Sequence, residues 1–163
     1  WEIALKSENT PREITLSRQK VPYISPKNSK ENNCEKGAYT VHVTSHESNV
    51  TIVASGTEVE LALKVQEKLK DNNIHSKVVS MPCMELFDRQ PEDYRKDILE
   101  EDSLIVTIEA GSIMSWQKYI KGKGLNLGID KFGESAPYKE VYKHFNLSEE
   151  DITNYIQKKL REN

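Results

Sequence analysis

The stretch that decides the fold is Val50–Met81, VTIVASGTEVELALKVQEKLKDNNIHSKVVSM. It opens with Val50–Ala54, a run of apolar and β-branched residues that is typical of a buried strand. The apolar positions then change to helical spacing, and Thr57 and Glu60 match a capping box at the start of that helix. Lys77–Met81 predicts a second strand. This order predicts two parallel strands joined by a right-handed crossover.

Similar patterns on both sides extend the sheet. Upstream, Ala38–Val43 predicts a strand, and the short turn at Ser45–Asn49 favours an antiparallel hairpin with the strand at Val50. Downstream, Leu104–Ile108 has apolar residues on both faces, as expected for a strand covered on both sides. Glu13–Ser17 is a further short candidate. We therefore predict an α/β fold with three α/β/α layers, and a mostly parallel five-stranded sheet with one antiparallel strand.

Helices and loops fill the intervals between these strands. Pro91 suits the first position of a helix, and Ser148 suits the cap of the last helix, which acidic residues follow. The predicted remaining elements are a short helix over 1–9, a surface loop over 20–37, a helix over 113–120, a Gly-rich loop over 121–137 and a helix over 139–145.

Length and composition limit the function classes. The chain has 163 residues, enough for one domain with a core, and a net charge of -3. Its Lys and Arg residues are scattered and no apolar run reaches the length of a membrane span, so we predict neither a nucleic-acid nor a membrane partner. Cys34 and Cys83 form neither a disulfide framework nor a zinc motif, and we predict a reducing, cytoplasmic location. Because the sequence starts at Trp1 rather than Met, we expect it to be part of a longer protein.

Three positions are candidates for ligand contacts. Arg18 follows the predicted strand at Glu13–Ser17, where its planar guanidinium can bind a carboxylate or phosphate, although a surface ion pair is the commoner role for such an arginine. Ser55-Gly56-Thr57 lies between a strand and a helix, and such a turn can bind an anion, but one glycine is a weak motif. Glu109 follows a buried strand at the edge where α/β folds place ligands, and it can equally form a cap or an ion pair.

No catalytic constellation emerges from the remaining residues. The four histidines are dispersed without metal-ligand spacing, and structural or solvated roles are expected for them: His42, His46, His75 and His144. Trp116 and Tyr119 lie three residues apart in a predicted helix and are expected in the core or an interface. Composition and spacing alone therefore predict a soluble α/β domain and no particular reaction.

The order of the sequence motifs along the chain indicates a resemblance to a known family. The chain contains LSRQ at 16–19, EKGAY at 35–39, ASGTEV at 54–59, VVSMPCMELFDRQ at 78–90, IEAGS at 108–112, WQKY at 116–119 and GIDKFGESAP at 128–137. In this order, over nearly the whole chain, they resemble the C-terminal domain of transketolase. The blocks at 78–90 and 128–137 are the most specific of them.

The resemblance implies a role within a larger enzyme. Transketolases depend on thiamine diphosphate and on Mg or Ca, and move a two-carbon ketol unit from ketose phosphates to aldose phosphates in the pentose phosphate pathway. The family is homodimeric, and its first two domains bind the cofactor. The resemblance implies that residues 1–12 are a linker or short helix from the preceding domain and that residues 13–163 are the third domain. It implies that Arg18 binds the substrate phosphate, with no catalytic, cofactor-binding or metal-binding residue in this chain. The remaining domains, the homodimer partner and a sugar phosphate are then its partners, and the isolated chain is expected to be inactive.

The sequence departs from the family pattern in three places. Ala38 stands where glycine is common, Lys20 stands where asparagine is common, and residues 24–33 are an insertion or a divergent loop. Two alternatives stay open. The chain resembles, less closely, the third domain of other thiamine diphosphate enzymes such as 1-deoxyxylulose-5-phosphate synthase. It is otherwise a regulatory module that binds an anion or nucleotide at Ser55-Gly56-Thr57.

Overall fold

The computed structural model describes residues 1–17, 19–24, 32–45, 47–100, 102–120, 122 and 124–162. Five strands form one sheet: β1 (Tyr39–Val43), β2 (Val50–Ala54), β3 (Ser76–Ser80), β4 (Leu104–Ile108) and β5 (Leu125–Leu127). The helices are α1 (Glu2–Leu5), α2 (Glu58–Asp71), α3 (Met84–Asp88), α4 (Glu92–Leu99), α5 (Tyr138–His144) and α6 (Glu149–Glu162), with 3₁₀ helices at Asn33–Lys36 and Met114–Tyr119.

The strand order in the sheet is β1-β3-β2-β4-β5, and β1 alone is antiparallel. The predicted strand–helix–strand unit is confirmed, because Val50 pairs with Ser76 in a parallel ladder and α2 connects the two strands. β2 lies at the centre of the sheet, with β3 and β4 on its two sides, and every one of its residues is buried. The predicted α/β fold, with its five-stranded and mostly parallel sheet, is therefore confirmed.

The predicted hairpin is wrong. β1 pairs with β3 rather than with β2, and its register shifts between Thr40 and His42. No residue of β1 is fully buried, whereas β2 is buried throughout. An amphipathic strand satisfies its burial at the edge of the sheet, so the short turn before Val50 carries the chain over β3 instead of folding it back on β1.

The fifth strand also differs from the prediction. Glu13–Ser17 forms no strand, and β5 lies instead within the segment predicted as a Gly-rich loop. Leu16, an apolar residue of this segment, remains 70% exposed, so the segment gains no burial from which a strand would form. Gly124 permits the backbone before β5 to approach β4 closely, because a Cβ there would lie 2.9 Å from the carbonyl oxygen of Ile105.

Side chains that alternate along the strands build two cores, one on each face of the sheet. One core packs β2, β3 and β4 against α2 and α6, and the other packs them against α3, α4 and the 3₁₀ helix at Met114–Tyr119. Trp116 and Tyr119 lie in the second core, as predicted. The three-layer architecture is therefore confirmed. Among the described residues, no helix is long and apolar enough to cross a membrane.

The helix starts match the sequence only in part. The Ser148 hydroxyl accepts from the N–H of Asp151 at 3.2 Å, as expected for a cap of α6. Pro91 precedes α4 by one residue rather than starting it. The capping box at Thr57 is wrong, because Thr57 has helical dihedral angles and makes no side-chain cap, while Glu60 pairs with Lys64 at 2.8 Å.

Candidate functional site

The carboxyl ends of the parallel strands open into a cavity of about 1060 Å³. The turns that follow β2, β3 and β4 form its floor, with Gly56, Cys83 and Glu109 among the lining residues. The N-terminal segment, including residues 12–17 and 19, forms the opposite wall. This edge of a parallel sheet is where α/β folds place their ligands, so we take the cavity as the candidate site.

Arg18, the predicted phosphate-binding residue, lies outside the described residues. Its two sequence neighbours, Ser17 and Gln19, both line the cavity. The N–H of Gln19 donates to the Ser17 hydroxyl at 3.0 Å. A second arginine that the motifs did not mark, Arg12, also lines the cavity, and its Nε donates to the Ser7 hydroxyl at 3.1 Å.

Glu58, the first residue of α2, is a buried acid at the floor of the cavity. It is 6% exposed, and its Oε1 accepts from the Thr57 hydroxyl at 2.6 Å and from the hydroxyl of Tyr142. Burial raises the pKa of the Tyr142 phenol well above its usual range, and the bonded Glu58 carboxylate adds to this shift. Tyr142 lies 84 positions further along the chain, on α5, so no local pattern in the sequence could have indicated the pair.

Glu109, a predicted candidate, is the second acid of the cavity. Its Oε2 accepts from the Trp116 indole N–H at 3.0 Å. Burial raises the pKa of the Glu109 carboxyl, the Trp116 hydrogen bond opposes this shift, and the nearby charge of Glu58 adds to it. The structure therefore gives Glu109 an anchoring contact to the core.

The turn at Ser55-Gly56-Thr57 lies where the sequence places it, and its φ of +54° at Gly56 explains the glycine. Its geometry gives little support to an anion site. The N–H groups of Glu58 and Val59 already donate to the carbonyls of Ser55 and Gly56, at 3.2 and 3.5 Å. The Glu58 and Glu109 carboxylates line the same cavity, and their charge opposes an anion at this turn.

The two most specific motif blocks have structural roles. In the first, Phe87 is 1% exposed, and the Asp88 carboxylate accepts from the Tyr119 hydroxyl at 2.9 Å. In the second, the Asp130 carboxylate accepts from the Ser112 hydroxyl at 2.8 Å and from the N–H of Ile113 at 3.0 Å. These bonds tie the loop after β5 to the loop after β4.

Gly128 permits the close approach of these two loops. A Cβ at this position would lie 2.5 Å from Cγ2 of Ile113 and 2.7 Å from the carbonyl oxygen of Gly111. Both distances are shorter than side-chain contacts allow, so the glycine of the second block is required by packing.

The described histidines serve the fold rather than the cavity. His42 Nδ1 lies 2.7 Å from Oε1 of Gln66, whose amide donates to the carbonyl of Ser76 at 2.8 Å. His144 contacts the ring of Phe145, His75 donates its backbone N–H to Asn49, and His46 lies outside the described residues. Within the part of the chain that the structure describes, no three acidic, His or Cys side chains are grouped to hold a metal ion.

Comparisons with known proteins agree with the motifs. The family model for the transketolase-like TK C-terminal domain matches residues 37–148. The transketolase of Aquifex aeolicus is 38% identical over 161 residues, which cover 98% of this chain and 23% of that protein. The chloroplastic transketolase-1 of Arabidopsis thaliana is 39% identical over 155 residues, which cover 93% of this chain and 21% of that protein.

Solved structures give the same result. Transketolase from Leishmania mexicana superposes with a TM-score of 0.88 at 36% identity, over 99% of this chain and 23% of that chain. The chain thus spans about a quarter of the length of the curated relatives it matches. Since the family model covers more than half of the sequence and the fold agrees, the chain belongs to the transketolase-like C-terminal domain family.

Proposed function

We propose that this chain is the third domain of a thiamine-diphosphate-dependent transketolase, which transfers a two-carbon ketol unit from ketose phosphates to aldose phosphates. Its part in that reaction is to bind the substrate phosphate through Arg18 and to pack against the other domains. The observation that carries the proposal is the family match together with the cavity at the carboxyl edge of the sheet, where both neighbours of Arg18 lie.

The chemistry of arginine supports the phosphate role. A guanidinium remains charged and offers paired donors that match the oxygens of a phosphate. Binding a phosphate that lies away from the reacting carbonyl helps to position that carbonyl, and such remote binding energy lowers the barrier of the reaction.

The described residues do not fit the metal ion that accompanies the cofactor. Among the described residues, no three acidic, His or Cys side chains are grouped to hold Mg or Ca. We therefore assign the thiamine diphosphate and metal sites to other parts of the full-length protein. The isolated 163-residue chain is then expected to lack ketol-transfer activity.

Exposed apolar side chains support the packing role. Trp1 is 79% exposed, Leu16 70%, Met114 78% and Phe132 98%. Trp1 and Leu16 line the candidate site, whereas Met114 and Phe132 line a separate open cavity, and exposed apolar patches of this kind mark interaction surfaces. In the full-length protein, we expect the preceding domains and a homodimer partner to cover them, with residues 1–12 as the linker to the preceding domain. We expect this enzyme to be cytoplasmic.

The experiment compares full-length wild type with Arg18→Gln, using phosphorylated and unphosphorylated aldose acceptors. Loss of a hydrogen bond to a charged group costs about 1.5–3 kcal/mol, so kcat/KM for phosphorylated acceptors should fall by about 10- to 150-fold. The value for unphosphorylated acceptors should change little.

Arg161→Gln, which removes the same charge from the exposed end of α6, is the matched control and should leave both acceptors unchanged. Equal kcat/KM values for wild type and Arg18→Gln on phosphorylated acceptors would remove the phosphate role. A full-length protein that makes 1-deoxyxylulose 5-phosphate instead would support the alternative enzyme, although the relatives described above are named transketolases.

A further inference from the structure

A second cavity, of about 680 Å³, lies between α2 and α5 and shares only Gln19 and Thr57 with the described lining of the candidate site. We call it the basic groove. One face of α2, the exposed side of α5, the start of α6 and residues 19–21 line it. Its volume lies in the range of small-molecule sites and exceeds what a single phosphate would fill.

Five lysines surround the basic groove, on a chain whose net charge is -3: Lys20, Lys64, Lys68, Lys139 and Lys143. Lys64 is neutralised by Glu60 at 2.8 Å and by Glu149 at 3.9 Å. The amines of the other four make no ion pair with any described residue. Glu150 is the one further acid among the lining residues, and the Glu58 carboxylate lies behind Tyr142, so the groove keeps a small excess of positive charge.

The interior of the groove is apolar and aromatic. Leu61 and Leu147 are buried beneath it, and the rings of Tyr138 and Tyr142 meet edge to face with centroids 5.9 Å apart. Tyr138 remains 47% exposed at the rim. An aromatic surface next to several ammonium groups suits a ligand that has both a flat apolar body and several negative charges.

We propose that the basic groove binds a small molecule that carries a diphosphate or triphosphate on an aromatic body, as a nucleotide does. The uncompensated lysines, which come from three parts of the chain, bind the phosphates as point charges, and the tyrosines contact the aromatic body. The proposal does not depend on the role of Arg18, because Lys68 and Lys143 line the groove and not the candidate site.

The test measures binding of ADP and inorganic pyrophosphate by titration calorimetry. It uses the 163-residue chain, in which helices cover both faces of the sheet. Wild type should bind ADP saturably with Kd below about 1 mM, and pyrophosphate more weakly. Lys68→Gln/Lys143→Gln should weaken ADP binding by about tenfold or more, and Tyr138→Ala should weaken ADP but not pyrophosphate.

The matched control is Lys70→Gln/Lys158→Gln, which removes two exposed charges from α2 and α6 outside the groove. It should bind ADP as wild type does, and circular dichroism should give the same spectrum for all variants. Absence of saturable ADP binding by wild type overturns the proposal, and so does equal weakening in both double variants. ADP binding no tighter than pyrophosphate overturns the aromatic part of the ligand class.

Discussion

Replacing Tyr142 with phenylalanine tests whether the Glu58 carboxylate depends on a partner from a distant helix. The substitution removes one hydroxyl, which donates to Oε1 of Glu58, and keeps the ring in place. Glu58 is 6% exposed, so water cannot fully replace the lost donor. The Thr57 hydroxyl, at 2.6 Å, is then the one remaining side-chain donor among the described residues.

The magnitude follows from the charge of the acceptor. Removing a hydrogen bond to a buried charged group costs about 1.5–3 kcal/mol. For a chain of this length, a loss of about 2 kcal/mol lowers Tm by roughly 4–8 °C. Urea unfolding followed by circular dichroism should therefore give a lower midpoint for Tyr142→Phe, with an unchanged slope.

Tyr155→Phe is the matched control, because Tyr155 lies on α6 and is 42% exposed. Its unfolding free energy should stay within about 0.5 kcal/mol of wild type. A double-mutant cycle with Glu58→Gln should give a coupling of about 1 kcal/mol or more. If Tyr142→Phe costs no more than the control, the Tyr142–Glu58 bond does not stabilise the fold and the reasoning is refuted.

Three further predictions test other contacts. Because burial raises the pKa of Glu109, the folded chain holds this proton more tightly than the unfolded chain, and the group lowers stability above its folded pKa. The urea midpoint of Glu109→Gln should therefore be higher than that of wild type at about pH 7, and the difference between the two midpoints should shrink towards about pH 4. Gly37→Ala should cost about 4 kcal/mol or more in the same assay, because its Cβ would lie 2.2 Å from the backbone nitrogen of Phe87. Gly56→Ala, also at positive φ but with no atom within 4 Å of its Cβ, should cost about 1–2 kcal/mol, and equal costs for the two variants would contradict the steric explanation. Lys77 is 4% exposed and donates to the Glu100 carboxylate at 3.0 Å and to the carbonyl oxygen of Asp97, so Glu100→Gln should cost about 2–3 kcal/mol because the buried cation loses its counter-charge. Lys77→Met should cost about 1 kcal/mol or less, and the reverse order of unfolding free energies would refute this explanation.

The sequence by itself determined the elements whose own residues carry the signal. Val50–Ala54 and Leu104–Ile108 are apolar except for Thr51 and Thr107, and the helical spacing after Val50–Ala54 predicts α2, so these strands and the parallel pairing of β2 with β3 follow from local pattern. The ordered motif blocks likewise determined the family, which the matched model over residues 37–148 confirms. Such features depend on residues close together in the chain.

Tertiary structure alone decided which strand lies beside which and how the cavities are lined. β1 joins β3 rather than its sequence neighbour because pairing depends on which strand edge remains open after the core forms. The pairing of Glu58 with Tyr142, and the groove between α2 and α5, join residues about half the chain apart. No periodicity or short motif reports such contacts, since they arise only when separate helices pack on the same sheet.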